Sequence, residues 1–469
     1  MLFRSEGLRL LLNDGHGVFR LQPLVQARAR GGHSVALADV DGDGDLDLFV
    51  GGRVVPGLYP TAPRSYLLIN DGKGVFTDAT EQWSKELTSP GMVTDAVWMD
   101  LNADNKPDLI LSGEWMPLRA FVNGGGKFTD ASKTYFNFPS SGWWNRIVAE
   151  DMDGDGDPDL VIGNCGTNTT FHASDKEPMS MHFKDFDGNG RLDPVLCYYS
   201  GGVSYPAYPL DDMTEQMPIL KKKFLQYKAY ADAKLEDLFT PEQLNGASVL
   251  TCDNMNTIYL ENQGAKGFVV HALPGEAQNS PVYGIVAKDM DGDGKKDLLL
   301  AGNNTWTRIK FGHNLANHGV LLKGDGKGGF KYVPQFESGL QLRGNVRSLV
   351  SANNQIHAGS LVRRDALILS GAFDVGPEAE VSNVTGDWWI WKCILKQGWR
   401  SVRQESDYLY RRHTDSSLAL TSLRSDFYRV SHMKHEEITL FMPLSGRLDL
   451  WPSMSEFLAR QDWPHEQVR

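Results

Sequence analysis

Five nine-residue segments of the sequence place acidic or amide side chains at alternate positions and end on aspartate. They are DVDGDGDLD at 39–47, DLNADNKPD at 100–108, DMDGDGDPD at 151–159, DFDGNGRLD at 185–193 and DMDGDGKKD at 289–297, numbered here as loops one to five. Carboxylates packed this densely repel one another by about 1 kcal/mol per close pair even in water. A hard divalent cation removes that repulsion, and Ca²⁺ accepts six to eight oxygens in loose geometry, whereas Mg²⁺ requires a stricter octahedron. The pattern therefore predicts up to five Ca²⁺-binding loops.

The residues around these segments indicate strands. A helix-flanked EF-hand loop needs a bidentate Glu at position 12. Position 12 is apolar in all five segments: Val50, Leu111, Ile162, Leu196 and Leu300. We therefore predict a strand, a Ca²⁺ loop and a second strand in each case. The alternative is that the Asp-Gly pairs make tight hairpin turns without a metal, and it weighs most on loop two, where Asn102 lowers the charge.

A second repeated element alternates with the loops: an apolar strand, a polar turn with glycine, and Phe. It occurs as LLLNDGHGVF at 10–19, LLINDGKGVF at 67–76, FVNGGGKF at 121–128, YLENQGAKGF at 259–268 and LLKGDGKGGF at 321–330. Such turns between hydrophobic runs predict β-hairpins, because the turn needs positive φ. Two hairpins give four strands per repeat, which is the content of a propeller blade. The fold class predicted is all-β, a β-propeller of about six to seven four-stranded blades.

Unequal loop spacing predicts irregular blades. Loops three and four start only 34 residues apart, which predicts an abbreviated outer hairpin around 168–178, and the 104 residues to loop five predict an insertion. Within that insertion, at about 205–245, Pro218 and the Thr240-Pro241-Glu242-Gln243 sequence predict short helices. The segment is either a lid or partner-binding arm, or an elaborated loop packed on the propeller edge.

Charge, hydrophobic runs and cysteine spacing restrict the kinds of partner and site that the chain can have. The chain has 469 residues and a formal charge of −12; the five loops hold 20 of the 59 acidic residues, so five Ca²⁺ ions would bring the charge to about −2. We expect no nucleic-acid partner, since no basic stripe occurs. We also expect no membrane span, since no run of 18 apolar residues occurs. The four cysteines have no CxxC spacing, which argues against zinc and redox motifs. No signal peptide is visible, but the chain begins within the repeat pattern, so we expect it to be part of a longer polypeptide.

Residues 33–350 resemble the FG-GAP/VCBS repeat family, which includes the propellers of integrin α chains. The motifs that support this are the DxDxDGxxD-like loop and the LLxNDGxGxF hairpin. Residues 167–350, with FHASDKEP, DDMTEQMP and LFTPEQL, look closer still to bacterial ASPIC/UnbV-associated cell-surface repeat proteins. The resemblance implies Ca²⁺ binding and export to the cell surface or the outside of a bacterial outer membrane. We predict a partial first blade at 1–32, the propeller at 33–354, and a tail at 355–469 that is either an extra domain or disordered, non-native sequence.

The resemblance also implies which atoms bind the metal: side chains at positions 1, 3, 5 and 9 and the backbone carbonyl at position 7. The implied side-chain ligands are Asp39, Asp41, Asp43 and Asp47; Asp100, Asn102, Asp104 and Asp108; Asp151, Asp153, Asp155 and Asp159; Asp185, Asp187, Asn189 and Asp193; and Asp289, Asp291, Asp293 and Asp297. The implied carbonyl donors are Asp45, Lys106, Asp157, Arg191 and Lys295. The cationic side chains at 106, 191 and 295 are expected to point away. Ala103, Asn105 and Pro107 replace the usual glycines of loop two, which argues against tight binding there.

Two functions remain open at the level of sequence. One is a non-enzymatic extracellular module that presents one propeller face to a glycan or protein ligand. The other is an extracellular polysaccharide hydrolase or lyase. Carboxylates that bind Ca²⁺ are poor general bases, and His33, His172, His182, His271 and His313 are dispersed, so we expect no catalysis. Trp143 and Trp144 could stack on sugar rings, but core packing is the stronger expectation.

Overall fold

The computed structural model describes residues 9–13, 19–23, 32–352, 355–360 and 365–368. This part of the chain consists mainly of antiparallel sheets with a few short helices, as the sequence predicts. None of its helices is both long and apolar enough to cross a membrane.

Sheets 1, 2 and 4 each form from consecutive strands. A hairpin, β1 (Arg9–Asn13) and β2 (Phe19–Pro23), precedes them. Sheet 1 contains β3 (Gly32–Ala38), β4 (Asp47–Gly52), β5 (Tyr66–Asn70) and β6 (Phe76–Asp78). Sheet 2 contains β7 (Met92–Met99), β8 (Asp108–Met116), β9 (Arg119–Asn123) and β10 (Phe128–Asp130), with β11 (Gly142–Trp143) also paired to β8.

Sheet 3 is interrupted by a second sheet. Its first hairpin is β12 (Arg146–Glu150) and β13 (Asp159–Gly163). The chain then builds an inserted sheet from β14 (Met179–Lys184), β15 (Asp193–Ser200), β16 (Val203–Pro206) and β17 (Ser248–Cys252), in the order β16-β15-β14-β17. Sheet 3 is completed by β18 (Ile258–Asn262), which pairs with β13, and by β19 (Phe268–Ala272).

This topology corrects the interpretation of loop spacing. The outer hairpin of the third sheet is not abbreviated around 168–178; it is complete and lies at 258–272, after the insertion. Loop four therefore belongs to the inserted sheet. The insertion starts after β13, well before residue 205. The cost of closing a long loop rises only with the logarithm of its length, so strands that pair need not be close in sequence.

Sheets 4 and 5 follow. Sheet 4 contains β20 (Gly284–Lys288), β21 (Asp297–Ala301), β22 (Val320–Gly324) and β23 (Phe330–Val333). Sheet 5 contains β24 (Ser348–Ala352), β25 (Gln355–Ser360) and β26 (Asp365–Ile368). The boundary predicted at residue 354 thus falls inside sheet 5. Of the predicted tail at 355–469, residues 355–360 and 365–368 belong to sheet 5, and the others lie outside the described residues.

The helices are short. Two follow outer hairpins, α1 (Thr80–Trp83) and α2 (Ser132–Tyr135), and α8 (Gln335–Ser338) follows sheet 4. Five lie between β16 and β17: α3 (Leu210–Gln216), α4 (Leu220–Lys223), α5 (Tyr227–Ala231), α6 (Leu235–Leu238) and α7 (Pro241–Leu244). Single 3₁₀ turns occur at Lys85–Thr88, Gly264–Lys266, Gly275–Gln278 and Ile309–Phe311. Thr240 caps α7, accepting a hydrogen bond from the Gln243 backbone N–H.

The second strands of sheets 1 to 4 are buried on both faces. In β8, Leu109 and Leu111 pack toward sheet 1 whereas Ile110 packs toward sheet 3. In β21, Leu298 and Leu300 pack toward sheet 3 whereas Leu299 packs toward sheet 5. Side chains alternate between the faces of a strand, so these runs are continuously apolar. The first strands β3, β7, β12, β20 and β24 contact one another in that order, which places the five sheets side by side.

The inserted sheet uses its two faces differently. Val195 and Cys197 of β15 face the helices, where Met213 and Phe239 are almost fully buried. Leu196 faces the opposite way, toward Trp115. The helices therefore cover one face of the inserted sheet, and the other face packs against the end of sheet 2.

Loop two offers a test of backbone strain. Ala103 and Asn105 have φ of 59° and 61°, where loops one, three, four and five have glycine. A left-handed conformation costs roughly 1–2 kcal/mol for a residue with Cβ, and glycine gives back part of this through its greater unfolded-state entropy. We expect Ala103→Gly to raise the free energy of unfolding by about 0.5–1 kcal/mol in urea titrations. Ala229→Gly, at an exposed position inside α5, is the control and should lower it; the same sign for both variants would contradict the strain argument.

Asp253, at the end of the inserted sheet, gives a pH prediction. Burial raises the pKa of Asp253 from its ordinary value of 3.8 to about 6, and its Oδ1 has no hydrogen-bond partner in the described chain. The folded protein thus holds a proton that the unfolded chain releases between pH 4 and 6, so this contribution to stability is present below pH 4 and lost as pH rises through 6. We expect the stability of Asp253→Asn relative to the parent to increase from pH 4 to pH 7, by up to about 3 kcal/mol, in denaturant titrations across that range. A difference that stays constant with pH would contradict this.

Candidate functional site

The five acidic loops connect the first and second strands of their sheets. Loops one, two, three and five join β3 to β4, β7 to β8, β12 to β13 and β20 to β21, and loop four joins β14 to β15. Strands flank every loop, as predicted. Because sheets 1 to 4 lie side by side, their loops share one face of the assembly, called here the loop face.

The aspartate at position 9 begins the second strand and is buried in all five loops. Asp47, Asp108, Asp159, Asp193 and Asp297 are each at most 2% exposed. One carboxylate oxygen accepts the backbone N–H at position 2, at N···O distances of 2.9, 2.8, 3.0, 3.0 and 3.0 Å in loops one to five. Each loop is thereby closed on itself. A carboxylate oxygen has further lone pairs, so this bond leaves room for a metal.

The other oxygen of this aspartate connects the loop to the third strand. It accepts the backbone N–H of Asn70, Asn123, Asn262 and Gly324 in sheets 1 to 4, at 2.7–3.0 Å. The three asparagine side chains also donate to the carbonyl at position 8 of the same loop. The two sequence motifs that alternate along the chain are therefore hydrogen-bonded to each other. The inserted sheet has no strand in this place, and Gln216 of α3 donates instead to the Pro194 carbonyl at 3.2 Å.

Burial dominates the electrostatics of four of these aspartates. It raises the pKa of Asp47, Asp108, Asp159 and Asp193 despite the backbone N–H groups, which lower it. In loop three, burial and the neighbouring Asp155 raise the pKa of Asp157 to about 6. A divalent cation would oppose both burial and mutual repulsion by compensating the negative charge.

Four loops bring carboxylate oxygens close enough to share one ion. In each, three oxygens lie within 4.8 Å of one another, and they belong to Asp39, Asp41 and Asp43; Asp151, Asp153 and Asp159; Asp185, Asp187 and Asp193; and Asp289, Asp291 and Asp297. Oxygens bound to Ca²⁺ at 2.3–2.6 Å can be at most about 5 Å apart. These acidic clusters therefore fit a hard cation. Positions 1 and 3 contribute in every cluster, whereas the third member is position 5 in loop one and position 9 in the others.

Loop two forms no such cluster within the described residues, in line with the doubt raised by its sequence. Asp100 accepts the backbone N–H groups of Asp104 and Asn105, at 3.1 and 2.7 Å, as the position-1 aspartates of loops one and four also do. The Lys106 ammonium lies 3.3 Å from Asp104. The loop keeps the backbone shape of the others without bringing three carboxylates together.

The lysines at position 7 correct one expectation. Their stems do pack against hairpin glycines, Lys106 near Gly125 and Lys295 near Gly326. Their ammonium groups nevertheless turn back toward position 5, and Lys295 Nζ lies 3.9 Å from Asp293. The prediction that these cations point away is therefore wrong for both, because an exposed carboxylate two residues away attracts them. Such exposed ion pairs contribute at most about 1 kcal/mol, so a divalent ion that binds the carboxylate more strongly can displace the ammonium group.

A cavity of about 310 Å³ lies on the face opposite the acidic loops. Apart from the insertion, its lining residues lie at the ends of second strands, after them or shortly before first strands, which brings sheets 1 to 4 together at one point. Residues from these sheets include Tyr59, Glu114, Trp115, Asn145, Tyr283, Asn304 and Asn314, and residues from the insertion include Phe171, Met181, Leu196 and Tyr208. The insertion thus forms one wall of this cavity.

Only one of the residues that line this cavity was singled out from the sequence. Trp143, singled out with Trp144, lines it, whereas Trp144 is fully buried in the core between sheets 2 and 3. No single motif marks the other lining residues, since they are scattered between residues 59 and 314. The segments that follow the apolar second strands could have indicated it, because these segments must all lie on the face opposite the acidic loops. None of the lining residues is a histidine; His182 contacts Ser180 and His271 contacts Glu261 elsewhere.

A family model described as "FG-GAP-like repeat" matches residues 1–50 and 100–162. The matched ranges contain acidic loops one, two and three. The chain contains FG-GAP-like repeats. No curated protein matches the sequence.

Two solved structures are similar at low identity. The V. cholerae biofilm matrix protein Bap1 has 12% identity and a TM-score of 0.27, with 75% of this chain and 69% of that chain covered. The exotype rhamnogalacturonan lyase YesX has 11% identity and a TM-score of 0.29, with 70% of this chain covered, and the aligned part spans 53% of the lyase.

The position-9 aspartate of an FG-GAP-like repeat should stabilise the fold without any metal. Asp108 is the best test, because loop two has no acidic cluster. Asp108→Ala leaves the buried N–H groups of Leu101 and Asn123 unpaired, each costing about 1–3 kcal/mol. We expect the free energy of unfolding in urea with excess EDTA to fall by about 2–5 kcal/mol. Asp104→Ala, exposed in the same loop, is the control and should cost about 1 kcal/mol or less; equal losses for both variants would refute this role.

Proposed function

We propose that the protein is a calcium-binding β-propeller that acts as an extracellular or cell-surface module and binds a glycan or a protein ligand. The observation that carries the calcium part is the convergence of three carboxylate oxygens in each of four loops. Their all-oxygen ligands, loose geometry and negative charge suit Ca²⁺ better than Mg²⁺ or a softer metal.

The propeller part rests on how neighbouring sheets pack. Sheets 1 to 5 follow one another through their first strands, and a shared apolar core lies between each pair of neighbours. If each sheet is rotated by the same angle relative to its neighbour, the sheets close into a ring. The hairpin β1 and β2 would supply the outer strands of one further blade, consistent with about six to seven blades in a complete ring.

An extracellular location agrees with the type of calcium site. Extracellular modules bind Ca²⁺ at about 10⁻⁴–10⁻³ M, which suits loops that offer three clustered carboxylates and exposed remaining positions. The FG-GAP-like repeats point in the same direction. Membership of a longer cell-surface polypeptide follows as part of the same proposal.

The cavity supports binding over polysaccharide cleavage. Glycoside hydrolases use two carboxyl groups about 5–9.5 Å apart, and among the lining residues only Glu114 is acidic, already paired with Arg53. A lyase needs a base, and burial raises the pKa of the three lining tyrosines, Tyr59, Tyr208 and Tyr283. The hydrolase or lyase alternative is therefore the less favoured candidate.

Calcium removal gives the main test. A bound ion stabilises the fold by about 2.7 kcal/mol per site at a hundredfold excess over its dissociation constant. We expect excess EDTA to lower the melting temperature in calorimetry, Ca²⁺ to restore it, and titration of the metal-free protein to show about four sites. An unchanged melt in EDTA would refute the proposal.

Single-ligand variants locate the sites. Asp153→Asn in loop three and Asp187→Asn in loop four should each remove about one site from the Ca²⁺ titration. Asp104→Asn in loop two is the matched control and should leave the number of sites unchanged. Loss of a site in the control alone would show that the clusters do not hold the metal.

A further inference from the structure

We propose that the cavity opposite the acidic loops, called here the aromatic pocket, binds one neutral pyranose ring of a glycan. This inference rests on the proposed binding role and specifies its ligand. The pocket is lined by residues of sheets 1 to 4 and of the insertion, and its volume of about 310 Å³ is at the lower end of the range for small-ligand sites.

Aromatic rings form its apolar surface. Trp115 and Trp143 meet edge to face at 5.0 Å, and Trp143 and Phe171 at 6.2 Å, with interplanar angles of 79° and 80°. Phe311 lies 5.0 Å from Phe171. Rings set at such angles form a corner rather than a flat stack. A pyranose ring has apolar C–H faces and a polar rim, so it can pack on one ring while its hydroxyls reach past the edge of another.

Polar groups in the pocket are available to a ligand. The side-chain amides of Asn145 and Asn314 make no hydrogen bond within the described chain, and each offers two donors and an acceptor oxygen. Paired hydroxyls are the groups that match such amides, since each hydroxyl both donates and accepts.

The charges of the pocket favour a neutral sugar. Its charged lining residues are Glu114 and Arg308. Glu114 pairs with Arg53, and Arg308 lies 2.6 Å from Asp212 while stacking over Tyr208 at 4.9 Å. Each charge is therefore already compensated by a partner. A uronate or sulfated sugar would have to break one of these pairs, whereas a neutral ring would not.

The insertion supplies one wall of the pocket. Phe171 and Tyr208 belong to residues between β13 and β18. A repeat whose outer hairpin followed directly would leave this side open. The interruption of sheet 3 thus supplies the wall against which the ligand would be held.

The test is a glycan array carrying neutral oligosaccharides beside oligogalacturonates and sulfated glycans, followed by calorimetric titration with the best neutral binder in Ca²⁺. We expect neutral glycans to bind. Asn145→Ala and Asn314→Ala should each weaken binding at least tenfold without changing the melting temperature, and Trp143→Ala should abolish it. Trp306→Ala, an exposed tryptophan outside the pocket, is the matched control and should bind like the parent.

Three results would overturn the inference: no neutral glycan binds, only acidic glycans bind, or both asparagine variants bind like the parent. EDTA melting of the same samples separates this inference from the calcium proposal. If EDTA lowers the melting temperature but no sugar binds, only the inference about the pocket ligand is refuted. If sugar binding depends on Asn145 and Asn314 but EDTA leaves the melting temperature unchanged, only the calcium proposal is refuted.

Discussion

A buried aspartate carboxylate begins the second strand in sheets 1 to 4 and in the inserted sheet, and the rest of the structure depends on its hydrogen bonds. One of its oxygens closes the acidic loop and, in sheets 1 to 4, the other holds the third strand. An isolated buried charge would be very unfavourable, and the N–H groups around this carboxylate reduce that cost; a cation bound in the loop, as we propose, would reduce it further. In sheets 1 to 4 the same aspartate joins the loop motif to the hairpin motif that alternates with it along the chain.

The two faces of the sheet array differ in how regular their structure is. The loop face repeats one hydrogen-bonding scheme with little variation, and loop two keeps that scheme even without an acidic cluster. The opposite face differs from sheet to sheet, since the segments there range from a short turn to an insertion of two layers. Because the variable segments lie on the second face, that face can carry a binding surface while the hydrogen bonds of the first face stay unchanged.

The sequence was informative wherever a local pattern determines structure. Strands beside the loops, all five outer hairpins and the weakness of loop two followed from residue type and spacing, because turns and alternation are local effects. Partners distant along the chain were not predictable. The pairing of Leu160 with Leu260, the joining of Glu114 and Tyr283 in one cavity, and the return of the Lys295 ammonium toward Asp293 depend on tertiary placement.

The interruption of sheet 3 has a consequence during synthesis. Strand β13 emerges from the ribosome roughly 95 residues before β18, the neighbour that covers its open edge. At about 5–20 residues per second, that edge waits on the order of 5–20 s with its backbone groups unpaired. A nascent chain in this condition is a template for incorrect strand addition, and that risk lasts until translation delivers the missing strand.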